Sequence, residues 1–252
     1  MTVRGGATAA ALAALALLPV GAAAAPPAPR LGLAVWPARL SAAGGRPQQI
    51  HVRNGGARTV VVDAAPAGLG LDLRGTPRVV RAAGAARWLV LRPRTLRLAP
   101  GATRTLTAWP SIPRGARPGD HPALVLLRTR PAAGHAIGVD VRVGVVVDVR
   151  VAGAARRRVV LRGLRVVRAR NRRRLVLSVV NAGDVTERIG GNASLTLYVG
   201  KTQVARLLPR RRELLPRSRG VVEFVYTGRR RGPARAFIAI ADAPLEAFHV
   251  RL

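Results

Sequence analysis

Hydrophobic and polar residues alternate with a period of two in many short runs of this chain. The clearest run covers residues 137–151, IGVDVRVGVVVDVRV, in which every odd position from 139 to 151 is valine. A period of two places alternate side chains on opposite faces of a strand, and β-branched residues favour sheet over helix. The run therefore predicts a core strand. At about 3.3 Å per residue it would span roughly 50 Å, longer than most strands, so we expect a bend or break near Gly144.

Similar but shorter runs fill the rest of the chain and are separated by turn-forming Gly, Pro, Asn and Asp. Examples of such turns are Asn54-Gly55-Gly56 and Asn181-Ala182-Gly183-Asp184. No stretch of ten or more residues after residue 25 has helical periodicity. Short strands at regular spacing predict an all-β protein made of two tandem Ig-like antiparallel β-sandwiches. We expect Trp36, Trp88 and Trp109 to supply bulky contacts in the core.

The division into domains is predicted from a small-residue and arginine segment that follows the valine-rich strand. Residues 152–158 read AGAARRR and are typical of a junction. The length of 252 residues suits one large domain or two of about 100 residues each. We place the first sandwich at residues 26–152 and the second at residues 153–252.

Residues 1–25 have the pattern of a signal peptide. Arg4 precedes an apolar run at residues 7–20, and three alanines at 23–25 precede Pro26. The apolar run is shorter than the roughly 20 residues that a membrane span needs. We therefore expect a secreted or otherwise extracytoplasmic protein, associated with the cell envelope. An uncleaved signal that anchors the chain in the membrane remains the alternative.

The charge is strongly basic and is carried almost entirely by arginine. The chain has 43 Lys and Arg against 11 Asp and Glu, a formal net charge of +32. Such an excess favours anionic partners, although a solvated basic surface without a ligand is the alternative. Guanidinium groups bind phosphate and carboxylate through paired hydrogen bonds. The predicted anionic-polymer site consists of the four arginine triplets at predicted turns: Arg156, Arg157, Arg158; Arg172, Arg173, Arg174; Arg210, Arg211, Arg212; and Arg229, Arg230, Arg231.

Nucleic acid is disfavoured as the partner. A nucleic-acid surface usually interleaves aromatic side chains with basic ones. The five Tyr and Phe residues of this chain are not interleaved with the arginines along the sequence. The signal peptide also predicts that the protein leaves the compartment where most nucleic acid is found.

The sequence offers little for catalysis. The chain has no cysteine, its four histidines are scattered, and its serines lie in no nucleophile motif. The acidic residues do not pair in a pattern typical of general acid–base catalysis. We expect a protein that is not an enzyme and that needs neither a metal nor another cofactor.

Several segments are similar to secreted Ig-like wall domains. In the first half they are residues 33–40 (LAVWPARL), 49–54 (QIHVRN), 98–102 (LAPGA) and 118–121 (PGDH); in the second half they are residues 179–184 (VVNAGD), 214–218 (LLPRS) and 232–236 (GPARA). In this order the two predicted domains resemble the WxL-interacting protein family, although the chain reaches Leu252 without the C-terminal membrane helix that is usual in that family. The resemblance implies a peptidoglycan-binding first domain and a partner-binding second domain. Pilus-chaperone-like sandwiches share the architecture and a similar Leu-x-Pro-Gly turn.

Two functions follow as expectations. The first is an exported, non-catalytic cell-envelope protein that attaches to peptidoglycan, or another wall glycan or anionic wall polymer, and to a secreted surface protein. The alternative is a pilus-chaperone-like assembly factor. It would pair a long edge strand, such as residues 139–151, with a strand of an exported subunit.

Overall fold

The computed structural model describes residues 32–43, 45–130, 141–169, 172–240 and 243–252. The predicted signal peptide lies outside these residues. Within them the chain forms 19 strands and one short 3-10 helix, Gly84–Trp88. Among the same residues no helix is long and apolar enough to cross a membrane.

The first sandwich is built from ten strands in two sheets. They are β1 (Leu33–Trp36), β2 (Arg39–Ala43), β3 (Gln48–Asn54), β4 (Val60–Leu71), β5 (Pro77–Val80), β6 (Leu89–Arg92), β7 (Thr95–Leu98), β8 (Thr103–Pro110), β9 (Gly119–Thr129) and β10 (Arg142–Val151). One sheet has the order β1-β3-β8-β6. The other has the order β2-β10-β9-β4, with β5 and β7 both pairing with β4.

The second sandwich follows from Val159 onward. Its strands are β11 (Val159–Ala169), β12 (Arg172–Asn181), β13 (Glu187–Ile189), β14 (Ala193–Val199), β15 (Thr202–Leu207), β16 (Arg212–Leu214), β17 (Arg219–Tyr226), β18 (Pro233–Ile240) and β19 (Glu246–Arg251). One sheet is β11-β12-β17, and the other is β15-β14-β18-β19. A short pair, β13-β16, lies at the side.

Each sandwich has its own apolar core, made from the alternate residues that the period of two predicted. In the first, Val145, Val147 and Val149 are fully buried. In the second, Leu195 and Leu197 are fully buried. The prediction of an all-β chain with two tandem Ig-like sandwiches is therefore confirmed. The limits 26–152 and 153–252 stay predictions.

The valine-rich strand differs from its prediction at Gly144. β10 pairs with β9 in continuous antiparallel register from Arg142 to Val151, so the expected break is absent. A Cβ at Gly144 would meet only Leu124, at ordinary van der Waals distance (3.6 Å). Glycine is thus not needed for the backbone conformation there, and the strand passes through it unbroken. Residues 137–140 of the predicted strand lie outside the described residues.

The tryptophans only partly follow their prediction. Trp88 packs against the first core. Trp36 and Trp109 instead lie on the outer face of sheet β1-β3-β8-β6, 42% and 38% exposed. The predicted core role is therefore wrong for these two, because strand alternation turns their side chains away from the core.

Each sandwich also contains one buried asparagine that closes a turn. Asn54 donates its amide to the carbonyls of Arg58, Leu98 and Ala99 at 2.7–3.2 Å, and its oxygen accepts from Gly56 N. Asn181 repeats this arrangement. Its amide donates to Val185 O, Leu214 O and Leu215 O at 2.8–3.1 Å, and its oxygen accepts from Gly183 N. These bonds satisfy main-chain groups that burial would otherwise leave unpaired.

Candidate functional site

The first candidate site is the side of β10 that faces away from β9. Thr129 N donates to Val141 O, so the odd residues of β10 direct their main-chain groups toward β9. The even residues direct theirs outward, and Val146 N accordingly donates to Ala38 O at 3.0 Å. Gly144 therefore presents its N–H and carbonyl on the outer side of the strand.

Of β10, the described residues cover only the second half on that side. β2 runs parallel to β10 and pairs with it from Val146 to Arg150. β1 precedes β2 but belongs to the other sheet, and Pro37 separates the two strands. Among the described residues, no strand pairs with residues 143–145 on the side that faces away from β9. We call this side of residues 143–145 the uncovered edge.

The uncovered edge has the features of a strand-docking site. Gly144 is exposed and has no side chain, so another backbone can approach closely. Val143 is partly buried and Val145 is fully buried between the sheets. An incoming strand would find main-chain partners on one side and apolar contacts at the open end of the core.

An ion-pair cluster ties the sandwiches together next to this edge. Arg39, at the start of β2, donates through both terminal nitrogens to Glu213 of β16 at 3.0 and 2.7 Å. Its Nε donates to Asp148 of β10. The hydrogen bond with Glu213 is the largest contribution raising the pKa of Arg39 above its ordinary value, against the opposing effect of burial. The guanidinium therefore stays charged and joins both sandwiches.

A second set of contacts joins the sandwiches around Asp120. Asp120 N donates to Asp184 O at 2.8 Å, and Thr186 N donates to the Asp120 carboxylate at 2.9 Å. Arg150 Nε donates to the same carboxylate at 2.7 Å. Burial raises the pKa of Asp120, but these hydrogen bonds outweigh it and hold the pKa below its usual value. Gly119 has φ +128°, and a Cβ there would lie 2.3 Å from Asp184 O, so the junction requires glycine.

A third contact comes from the connection between β4 and β5. Leu73 O accepts a hydrogen bond from Val221 N at 2.8 Å and another from Arg212 Nη2 at 3.3 Å. The strand β17 of the second sandwich is thereby attached to the first sandwich. Together the three sets hold the second sandwich in place relative to the uncovered edge.

The four arginine triplets do not form one cluster. The first and third lie at the end of the second sandwich that faces the junction. Arg157 pairs there with Glu187 at 3.0 Å, and Arg156 donates to Ala182 O. Arg212 donates to Val221 O, and burial lowers its pKa. These arginines make structural contacts at the junction.

The second and fourth triplets meet at the opposite end. Arg173 is only 8% exposed, and its Nη1 contacts Gly228 O and Arg230 O at 3.3 and 3.5 Å. Its guanidinium also lies 5.9 Å from the centre of the Tyr226 ring. Sequence spacing does not show this convergence, because the hairpin β11–β12 and the loop after β17 are brought together by strand pairing.

The structure shows no catalytic arrangement among the described histidines. His51 stacks on Trp36 at 5.5 Å and shares a hydrogen bond with Thr105. His121 hydrogen-bonds Arg117 O and packs against Trp88. In the described part of the chain no group of three or more His, Cys, Asp or Glu could hold a metal ion.

Comparison with known proteins identifies the fold. No protein-family model matches the chain, and no curated protein matches it in sequence. Among solved structures, the class 5 fimbriae chaperone CfaA superposes with a TM-score of 0.50 at 10% identity, covering 87% of this chain and 98% of CfaA. The E. coli chaperone DraB gives a TM-score of 0.47 at 16% identity, with coverages of 88% and 98%. This chain thus shares the fold of CfaA.

The resemblance to the WxL-interacting family is therefore wrong. The structural neighbours are fimbrial periplasmic chaperones. The motifs that carried the resemblance are turns formed by Gly, Pro and Asn. Such turns close strands in any Ig-like sandwich, so they indicate the fold without distinguishing one family from another.

Proposed function

We propose that this chain is an extracytoplasmic, non-catalytic assembly chaperone that holds an exported protein subunit by strand pairing. The observation that carries the proposal is the uncovered edge of β10. The fold shared with a fimbriae chaperone supports it, as does the predicted signal peptide. Attachment to peptidoglycan has no support from these neighbours, and we do not retain it.

The uncovered edge defines what the subunit must supply. β2 already pairs with residues 146–150 of β10. The guest strand would therefore lie next to the start of β2 at Arg39 and pair with the first half of β10. It would exchange main-chain hydrogen bonds with Gly144 and place an apolar side chain near Val143 and Val145. A subunit with an incomplete sandwich has both the need and the shape for this pairing.

The rigid junction supports the same function. A strand-pairing site recognises a guest more selectively when its surroundings are fixed before binding. Arg39 and Asp120 provide that fixation at two places in the junction between the sandwiches. The second sandwich would then act as a wall that limits which subunits can approach the edge.

The test is a proline substitution that removes one outward hydrogen-bond donor. Gly144→Pro deletes an N–H that faces away from β9, so the pairing of β9 with β10 is preserved while strand addition is blocked. Ala247→Pro is the matched control. It removes an N–H of edge strand β19 that faces away from β18. Gly232 and Leu252 exchange hydrogen bonds, so Ala247 lies at a position of the β18–β19 pairing that is not hydrogen-bonded.

The measurement is recovery of a partner from the extracytoplasmic fraction of the native host, followed by hydrogen exchange of the complex. We expect wild type and Ala247→Pro to recover one exported protein at equal stoichiometry, with new protection of the Gly144 amide. We expect Gly144→Pro to lose it. A partner that binds Gly144→Pro as well as wild type, or that leaves Gly144 unprotected, would contradict the proposal.

A further inference from the structure

A second surface, unrelated to the uncovered edge, lies on the outer face of sheet β15-β14-β18-β19. It is a groove of about 550 Å³. Its cationic and aromatic lining residues are Tyr198, Lys201, Arg206, Arg235 and Phe237. No lining residue in the described part of the chain is acidic.

Strand register interleaves the aromatic and basic side chains of the groove. Tyr198 of β14 is paired with Arg235 of β18, and Thr196 of β14 lies between Arg206 and Phe237 on its two neighbours. Tyr198 and Phe237 meet edge to face at 5.5 Å, and the Arg235 guanidinium lies 5.9 Å from the Phe237 ring centre. The expectation that aromatic residues are not interleaved with arginines holds along the sequence but not on this sheet.

The basic surface continues from the groove to the end of the sandwich. The loop before β18 carries Arg229, Arg230 and Arg231, all exposed. Arg173 holds this loop from beneath, through carbonyl oxygens and the Tyr226 ring. Within the described part of the chain, this buried cation contacts carbonyl oxygens and an aromatic ring, which carry no full negative charge. It therefore adds to the positive potential of its neighbours.

The acidic residues that the structure describes in the second sandwich are engaged elsewhere. Asp184 pairs with Arg217, and Glu187 pairs with Arg157. Glu213 and Glu223 pair with Arg39 and Arg174 respectively. Glu246 lines a different cavity, together with Arg157 and Arg158. The charge of the groove and the adjoining end is therefore not neutralised by described carboxylates.

We propose that the groove and the adjoining basic end bind a linear phosphate-bearing polymer. Guanidinium forks match phosphate oxygens, and the ammonium of Lys201 adds a point charge at the rim. The hydroxyls of Ser194 and Thr196 line the same groove and can donate to the remaining oxygens. A single chain can enter this concave surface, whereas a flat bilayer reaches only its rim.

The test measures binding of fluorescently labelled linear inorganic polyphosphate to the full chain by anisotropy, at low and at physiological salt. The variant is Lys201→Glu with Arg235→Glu. The control is Arg53→Glu with Arg92→Glu, two exposed residues on strands β3 and β6 that change the net charge by the same amount. A second variant, Lys201→Glu with Arg206→Glu, leaves the contact of Arg235 with Phe237 intact.

Both groove variants are expected to weaken binding by about tenfold or more, and the control by about twofold or less, with a steep loss of wild-type affinity as salt rises. Equal weakening in groove and control variants would overturn the proposal, since net charge alone would then explain binding. Tighter binding to phosphatidylglycerol vesicles than to polyphosphate would assign the surface to a membrane. Equal affinity for polyglutamate would remove the preference for phosphate.

Discussion

The two sandwiches are closed by equivalent buried asparagines, Asn54 and Asn181, but they differ in what they leave open. The first leaves a length of strand edge uncovered beside residues 143–145. The second leaves a basic and aromatic sheet face. An open edge offers main-chain hydrogen bonds and selects a strand, whereas a charged face offers side chains and selects opposite charge. The same architecture can therefore serve two different kinds of partner in one chain.

The largest expected effect is a loss of stability that is confined to one sandwich when the buried asparagine of that sandwich is replaced. Asn54→Ala and Asn181→Ala each leave three main-chain carbonyls without their amide donor, and each should lower the free energy of unfolding of its own sandwich by about 3 kcal/mol. All three tryptophans lie in the first sandwich. In denaturant titrations, Asn54→Ala should shift the tryptophan fluorescence transition strongly.

Asn181→Ala should shift the far-UV circular dichroism transition of the second sandwich and have a smaller effect on tryptophan fluorescence. Asn192→Ala is the control, because Asn192 accepts one exposed hydrogen bond from Gly190 N. An Asn181→Ala protein whose fluorescence moves as far as that of Asn54→Ala would show that the sandwiches unfold as one unit.

A smaller effect is expected from cutting the connection between the sandwiches. Glu213→Ala removes both hydrogen bonds from Arg39 across the junction. Since the pair is partly exposed, we expect it to reduce the coupling of the two transitions by about 1 kcal/mol or less. The coupling is measured as the separation between the fluorescence and circular dichroism midpoints.

Arg130→Ala is the matched control for Glu213→Ala. It breaks an exposed pair with Asp63 that lies within the first sandwich. Its midpoint separation should equal that of wild type. A Glu213→Ala protein with unchanged separation would show that Arg39 contributes nothing to the junction.

The smallest effect is a dependence of this coupling on pH. Asp120 has a folded-state pKa below its ordinary value of 3.8. The stability that it contributes is complete above that ordinary value and is lost as pH falls through the folded pKa. The coupling should therefore weaken only below about pH 4, and Asp120→Asn should remove that dependence.

Asp63→Asn is the control for this measurement. The Arg130 hydrogen bond also holds the pKa of Asp63 below its usual value, but Asp63 is remote from the junction. Because the contacts of Asp120 are intact in Asp63→Asn, this variant should keep the weakening of the coupling below about pH 4 that Asp120→Asn removes. Loss of coupling near neutral pH would contradict the assignment to Asp120.

The fold could be predicted from the sequence because burial leaves a period of two in each strand. The valines of β10 and the turn residues around Asn54 and Asn181 are visible in the sequence alone. The candidate sites were harder to predict, because they depend on which strands become neighbours. The edge beside Gly144 is open only because β2 begins at Arg39, and the groove exists only because β14 lies between β15 and β18.

The arginine triplets show the same limit. All four look alike in sequence, yet two make structural contacts at the junction and two converge at the opposite end of the sandwich. The function of an arginine depends on the carboxylates and carbonyls that folding brings near it. Local spacing does not contain that information.

The most direct test of the uncovered edge is amide hydrogen exchange of the free protein, resolved at residues 143–147. The amides of Val143, Val145 and Val147 donate to β9 and should exchange slowly, while the Gly144 amide should exchange many times faster. The Val146 amide, which donates to Ala38 O, should be slow again. A Gly144 amide as protected as those of Val143 and Val145 would show that the edge is already paired, and would contradict the proposal that it receives a strand from a subunit.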